Sequence, residues 1–217
     1  MVRGHDAVET ASAMQTDSIR RAVYLVLALV SGTGLVMNFV NSMTSDVPAS
    51  RPTRIVRFFT YFTIESNILV FLAAVLLAAG AAHGARFALL HLDALLGITV
   101  TGIIFATILA PDGADVGTAS VLLHYISPPL AVLAWLLLGP WAARSRSLIP
   151  PALVWPIAYL VWVLIWGAIT DWYPYDFIDV GEHGYGGVLL NALLVLVLGI
   201  VLCLAFIAVN RRHRVRV

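Results

Sequence analysis

The chain has 217 residues, of which 60% are hydrophobic and 12% charged, with a formal net charge of +1. A soluble domain usually carries about 25% charged residues, so this composition excludes an ordinary soluble enzyme and points to an integral membrane protein. The balance of charge gives no reason to expect a nucleic acid partner, and a single cysteine, Cys203, excludes a disulfide framework or a cysteine metal site within one chain. All 13 basic residues are arginine. Together with abundant Ala, Val and Leu this suggests a GC-rich genome and, as an expectation, a multi-pass protein of a bacterial inner membrane.

Residues 1–19 are polar and lead into Arg20 and Arg21. A spanning helix needs about 20 apolar residues. Six runs qualify, at 20–40, 55–80, 87–110, 118–139, 150–170 and 186–210. The first is longer than the roughly 7–15-residue core of a signal peptide and no A-x-A-like cleavage site follows it, so it reads as a retained helix. The expected fold is all-α, a bundle of six transmembrane helices over 20–210, with a polar tail at 1–19 and a basic tail at 211–217. No separate soluble domain is expected.

Arginines near helix ends stay on the cytoplasmic side. With the N-terminus inside, Arg3, Arg20, Arg21, Arg86, Arg144, Arg146, Arg211, Arg212, Arg214 and Arg216 fall on that side, and Arg51, Arg54 and Arg57 on the other. The outer side also gathers Asp46, Asp112, Asp115, Asp171, Asp176, Asp179 and Glu182. Both termini are therefore expected in the cytoplasm.

The second run opens as "RFFTYFTIESN". On a continuous helix Thr60, Thr63 and Asn67 share one face at i, i+3, i+7, with Glu65 about 140° round from Thr60. Hydroxyls of this kind commonly bond the carbonyl of the preceding turn, and Asn67 would serve equally as interhelical glue. Glu65, roughly 15 Å deep by helical rise, is costly unless neutral or paired, and a protonated interhelical donor is the simplest reading. The fourth run contains "LLHYISPPLAVLAW". Pro128 and Pro129 remove the amides that would bond the carbonyls of His124 and Tyr125, so a kink is expected beside an intramembrane histidine.

Thr60 lies roughly 7–8 Å and His124 roughly 9 Å from the outer face by helical rise. Asn38, Thr107 and Asn191 belong to the same layer. A hydroxyl and an imidazole at one depth suit a nucleophile and its base. A soluble-type G-x-S-x-G elbow and an H-E-x-x-H zinc site are both absent. The loop "TDWYPYDFIDVGEHGYGG" holds acids at 176, 179 and 182, but no ordered metal-loop pattern, and reads as an aromatic belt or a lid.

"RFFTYFTIESN" and "LLHYISPPLAVLAW" within a six-helix frame resemble the androgen-induced, FAR-type integral-membrane proteins and their bacterial relatives. The eukaryotic members are intramembrane threonine hydrolases of fatty acid esters of hydroxy fatty acids. The resemblance implies a nucleophile at Thr60, with Thr63 a competitor, and a partner at His124. It implies a lipid or fatty acyl ester substrate and no cofactor or metal. Asn67, Asn38 or Asn191 would serve the oxyanion, and Glu65 and Thr63 would support the site. Two alternatives stay open: a proton-coupled transporter or channel using Glu65 and His124, and a lipid-binding protein without turnover. Oligomeric state is not legible.

Overall fold

The computed structural model describes residues 2–110, 117–141 and 146–214. Asp112, Asp115, Arg144 and Arg216 of the charge pattern lie outside the described residues. Among the described residues there are eight α-helices: α1 Val2–Thr44, α2 Arg51–Thr60, α3 Phe62–Ala78, α4 Gly84–Ile104, α5 Thr118–Ser120, α6 Ser127–Leu138, α7 Ile149–Thr170 and α8 Val180–Arg214. There is no strand among the described residues. Five segments are long and apolar enough to cross a membrane, and α2 with α3 makes a sixth if that bent pair is one span. These match the six apolar runs. Residues 2–19, expected as a separate tail, continue the helix of α1.

The second run is not one straight helix. α2 and α3 meet at 70°. Residues 58–63, "FFTYFT", are all aromatic or β-branched, the types that lose most side-chain freedom in a helix. Tyr61 leaves the helix at φ −79°, ψ 123°. Its carbonyl then accepts from the amides of both Ile64 and Glu65, at 2.9 and 3.2 Å, and so starts α3. Thr60 therefore closes one helix while Thr63 and Asn67 begin the next. The single polar stripe expected on a continuous helix does not form.

The fourth run is interrupted in a different way. Between α5 and α6, residues Val121–Ile126 form a wide π-helical turn, and the Ser127 amide bonds Leu122, five residues back. Pro128 and Pro129 sit in the first turn of α6, where a missing amide costs nothing within that helix. After this five-residue register the amide that would serve the Leu123 carbonyl also falls on a proline, Pro128, so Leu123 joins His124 and Tyr125 among the carbonyls without a helical amide.

One core joins α1, α3, α4 and α6 through Tyr24, Leu27, Val70, Ala73, Ile98, Ala131 and Ala134. Its alanines let the helices approach closely, as small residues do in membrane bundles. A second joins α4, α6 and α8 through Leu92, Leu95, Trp135, Cys203 and Phe206. The outward faces stay apolar: Ile169 is 74% exposed and Leu137 70%, which suits a lipid-facing surface.

The π-helical turn is held against α1 at Gly34. A Cβ there would meet Leu123 Cδ2 at 2.7 Å, Leu123 Cγ at 3.0 Å and Leu122 Cβ at 3.1 Å. Leu123 is fully buried and cannot swing away. Gly34→Val is therefore expected to lower stability by about 1–3 kcal/mol, read as a lower unfolding temperature of the detergent-solubilised protein.

Candidate active site

The break at Tyr61 and the π-helical turn face each other. Across the gap Thr63 Oγ1, on the first turn of α3, lies 3.2 Å from His124 Nε2. The other ring nitrogen, Nδ1, lies 3.1 Å from the Ser120 carbonyl oxygen and 3.1 Å from Ser120 Oγ. A carbonyl can only accept, so in the neutral imidazole Nδ1 carries the proton and Nε2 is the acceptor. The Thr63 hydroxyl thus donates to His124. Phe105 stacks on the imidazole at 4.0 Å between ring centroids and fixes its plane.

A third group completes the array. Tyr175, in the connection between α7 and α8, accepts the backbone N–H of Thr63 at 3.3 Å, and its hydroxyl lies 3.4 Å from Thr63 Oγ1. Desolvation in this packed corner pushes the phenol up to about 12, so it remains a proton donor at neutral pH. The side-chain bonds therefore run in one direction, from Tyr175 to Thr63 to His124 to Ser120. Spacing within a helix could not reveal Tyr175, which lies 112 residues from Thr63. Ser120 was legible in principle, one helical turn before His124.

Thr60 lies elsewhere. It is fully buried; its hydroxyl donates to the Val56 carbonyl at 2.8 Å and accepts the Trp162 indole N–H at 3.2 Å. Matching depth suggested a Thr60–His124 pair, and the structure instead brings Thr63 to His124. The reason is the 70° bend, which separates Thr60 from the face that Thr63 and Asn67 keep.

Asn67 supports the π-helical turn. Its Nδ2 donates to the Thr63 carbonyl at 2.9 Å and to the Leu123 carbonyl at 3.3 Å, an acceptor whose helical amide is lost at Pro128. Glu65 faces α7, where Oε2 accepts the Trp155 indole N–H at 2.7 Å. This bond ties α3 to α7, and a carboxyl oxygen accepts it whether or not the other oxygen carries a proton. Asn191 donates to the Phe177 carbonyl at 2.7 Å and so braces the α7–α8 connection. Asn38 is half-buried on α1 and takes no part in the network. Thr107 bonds its own helix at Ile103.

The connection bearing Tyr175 is clamped at several points. Arg57 stacks over Trp172 at 4.7 Å, and Tyr61 meets the rings of both Trp172 and Tyr175 edge-on. Tyr173 packs so closely on Gly167 that a Cβ there would sit 2.0 Å from its ring. Among the described residues no three His, Cys, Asp or Glu side chains come together to hold a metal.

Thr63 and Tyr175 open onto a cavity of about 330 Å³ between α3, α4, α7 and α8. Its walls are mostly Leu, Ile, Val, Phe and Pro. The hydroxyl of Tyr159, also on the wall, is buried with no partner. His124 stands behind Thr63 and is not part of the lining. The arrangement sets a hydroxyl bonded to an imidazole at the polar end of an apolar pocket. No protein-family model, curated protein or solved structure matches the chain.

The tautomer is open to direct measurement. Nitrogen NMR of histidine-labelled protein in micelles at neutral pH is expected to show His124 protonated at Nδ1 and unprotonated at Nε2. The reverse tautomer would leave Thr63 without an acceptor for its proton.

Proposed function

We propose that this protein is an intramembrane hydrolase of lipid esters, with Thr63 as nucleophile and His124 as general base. The observation that carries the reading is the directed chain Tyr175–Thr63–His124–Ser120 at the mouth of an apolar cavity. The resemblance to the FAR-type threonine hydrolases points to the same reaction, although by position it assigned the nucleophile to Thr60.

The steps follow from the geometry. Thr63 Oγ1 attacks the ester carbonyl carbon while its proton passes to His124 Nε2. The imidazolium so formed keeps its Nδ1–H on the Ser120 carbonyl, which stabilises it much as a carboxylate does in the familiar triad. The carbonyl oxygen becomes an oxyanion and accepts from Tyr175, with the Tyr159 hydroxyl a second donor beside it. As the C–O bond to the alcohol breaks, Nε2 returns the proton to the departing oxygen. A water then gives its proton to His124 and attacks the acyl-threonine, and Thr63 leaves with that proton restored. No metal or cofactor is required.

The charge bias supports a reading with the Tyr175 end of the bundle at the outer face and both termini in the cytoplasm. The residues beside the site then sit where water and the outer leaflet meet. A proton path would need polar groups from end to end; the cavity carries them near Thr63 and gives way to Leu96, Leu153 and Gly199.

Labelling of purified protein with a fluorophosphonate probe tests the assignment. Thr63→Ala and His124→Ala are expected to abolish labelling, while Thr60→Val keeps it. Labelling lost in folded Thr60→Val and retained in Thr63→Ala would overturn the nucleophile. Once a cleaved ester is found, Tyr175→Phe is expected to lower turnover about 10²–10³-fold, the usual loss for one oxyanion donor.

A further inference from the structure

We propose that the cavity is a slot for one unbranched acyl chain, and that residue 199 at its closed end sets the longest chain the protein accepts. This rests on the hydrolase reading only for which end holds the ester.

The cavity is long in one direction. On α8 its wall runs through Leu189, Leu193 and Leu196 to Gly199, ten residues or about 15 Å along one helix face. Leu189 lies at the end of the bundle that holds Thr63 and Tyr175. Gly199 lies at the other, where its nearest neighbours are Leu96 of α4 and Leu153 of α7. Reactive groups at one end and a purely aliphatic floor at the other suit an amphiphile that enters tail first. A carboxyl ester would stop at Thr63, and its chain would replace contacts among Leu and Val side chains at no polar cost.

The slot is also open sideways. Leu189, Leu193 and Ile157 line it, yet they are 56%, 53% and 49% exposed on the outward face. These three side chains come from α7 and α8, so the gap between those helices connects the cavity with the apolar surface. A chain dissolved in lipid can slide in between them without crossing water.

Gly199 is the place where length is read. A Cβ at this position would meet Leu96 Cδ1 at 3.8 Å and Leu153 Cδ2 at 4.0 Å, which is ordinary contact. Alanine therefore fits without displacing anything. A leucine has to occupy the floor of the slot, the volume that the last methylenes of a long chain would fill. Leu153→Ala does the opposite and deepens the same end.

The test measures binding and does not depend on turnover. Straight-chain saturated fatty acids of increasing length are used to displace a fluorescent fatty acid from protein in lipid nanodiscs. The proteins compared are wild type, Gly199→Leu, Leu153→Ala and Leu137→Ala. Gly199→Leu is expected to weaken the longest acids about tenfold, the equivalent of two methylenes left unburied, with the short ones unchanged. Leu153→Ala should move the optimum to longer chains, and Leu137→Ala, on the outward face of α6 and outside the slot, should keep the wild-type profile. An unchanged length profile in folded Gly199→Leu and Leu153→Ala overturns the proposal. Opposite shifts in those two variants sustain it even if no variant reacts with a fluorophosphonate, in which case only the hydrolase reading falls.

Discussion

Backbone polar groups that a helix leaves unpaired inside an apolar bundle must be met by something, because no water is there to do it. The site in this protein follows from that constraint at Tyr61. By turning to an extended conformation, Tyr61 ends α2 and starts α3, and leaves the first amides of α3 without helical partners. The Thr63 amide is met by the Tyr175 hydroxyl. The same bond that satisfies the backbone therefore carries Tyr175 to the side chain of Thr63. A continuous helix at this point would have no need of Tyr175 and would have no site.

A second interruption answers the first. The π-helical turn, followed by Pro128 and Pro129, leaves the Leu123 carbonyl without a helical amide, and Asn67 from α3 supplies a donor to it. An unmet buried acceptor costs about 1–3 kcal/mol, so Asn67 holds the two breaks in register. With the two segments locked, the Thr63–His124 distance is decided by backbone geometry and does not rest on the freedom of two side chains. Stacking on Phe105 and the bonds to Ser120 remove the remaining rotation of the imidazole.

The rest of the bundle packs around the Tyr175–Thr63–His124 cluster. Polar contacts such as Glu65–Trp155 and Thr60–Trp162 tie the α2–α3 pair to α7. Arg57, Trp172, Gly167 and Asn191 hold the α7–α8 connection down on the same corner. The cavity is left with polar atoms near Thr63 and aliphatic walls beyond. Inside such walls a directed hydrogen bond meets little competition from water and its field is weakly screened, which is what an oxyanion-forming reaction uses.

The sequence by itself determined the all-helical class, the six apolar segments, and the approach of the two polar motifs "RFFTYFTIESN" and "LLHYISPPLAVLAW". Hydropathy is a sum over neighbouring residues, so it survives any detail of packing. His124 and Asn67 were legible for the same reason: a polar group in an apolar run is visible without coordinates. Which threonine meets the histidine was not. Thr60 and Thr63 differ by one helical turn, and the choice depends on a 70° bend that periodicity at 3.6 residues assumes away. Tyr175 was out of reach because no local spacing links it to Thr63. Only the tertiary structure decided these points. A helix break is stable only where distant side chains take up the backbone groups it exposes, and those partners are brought together by the packing of the whole bundle.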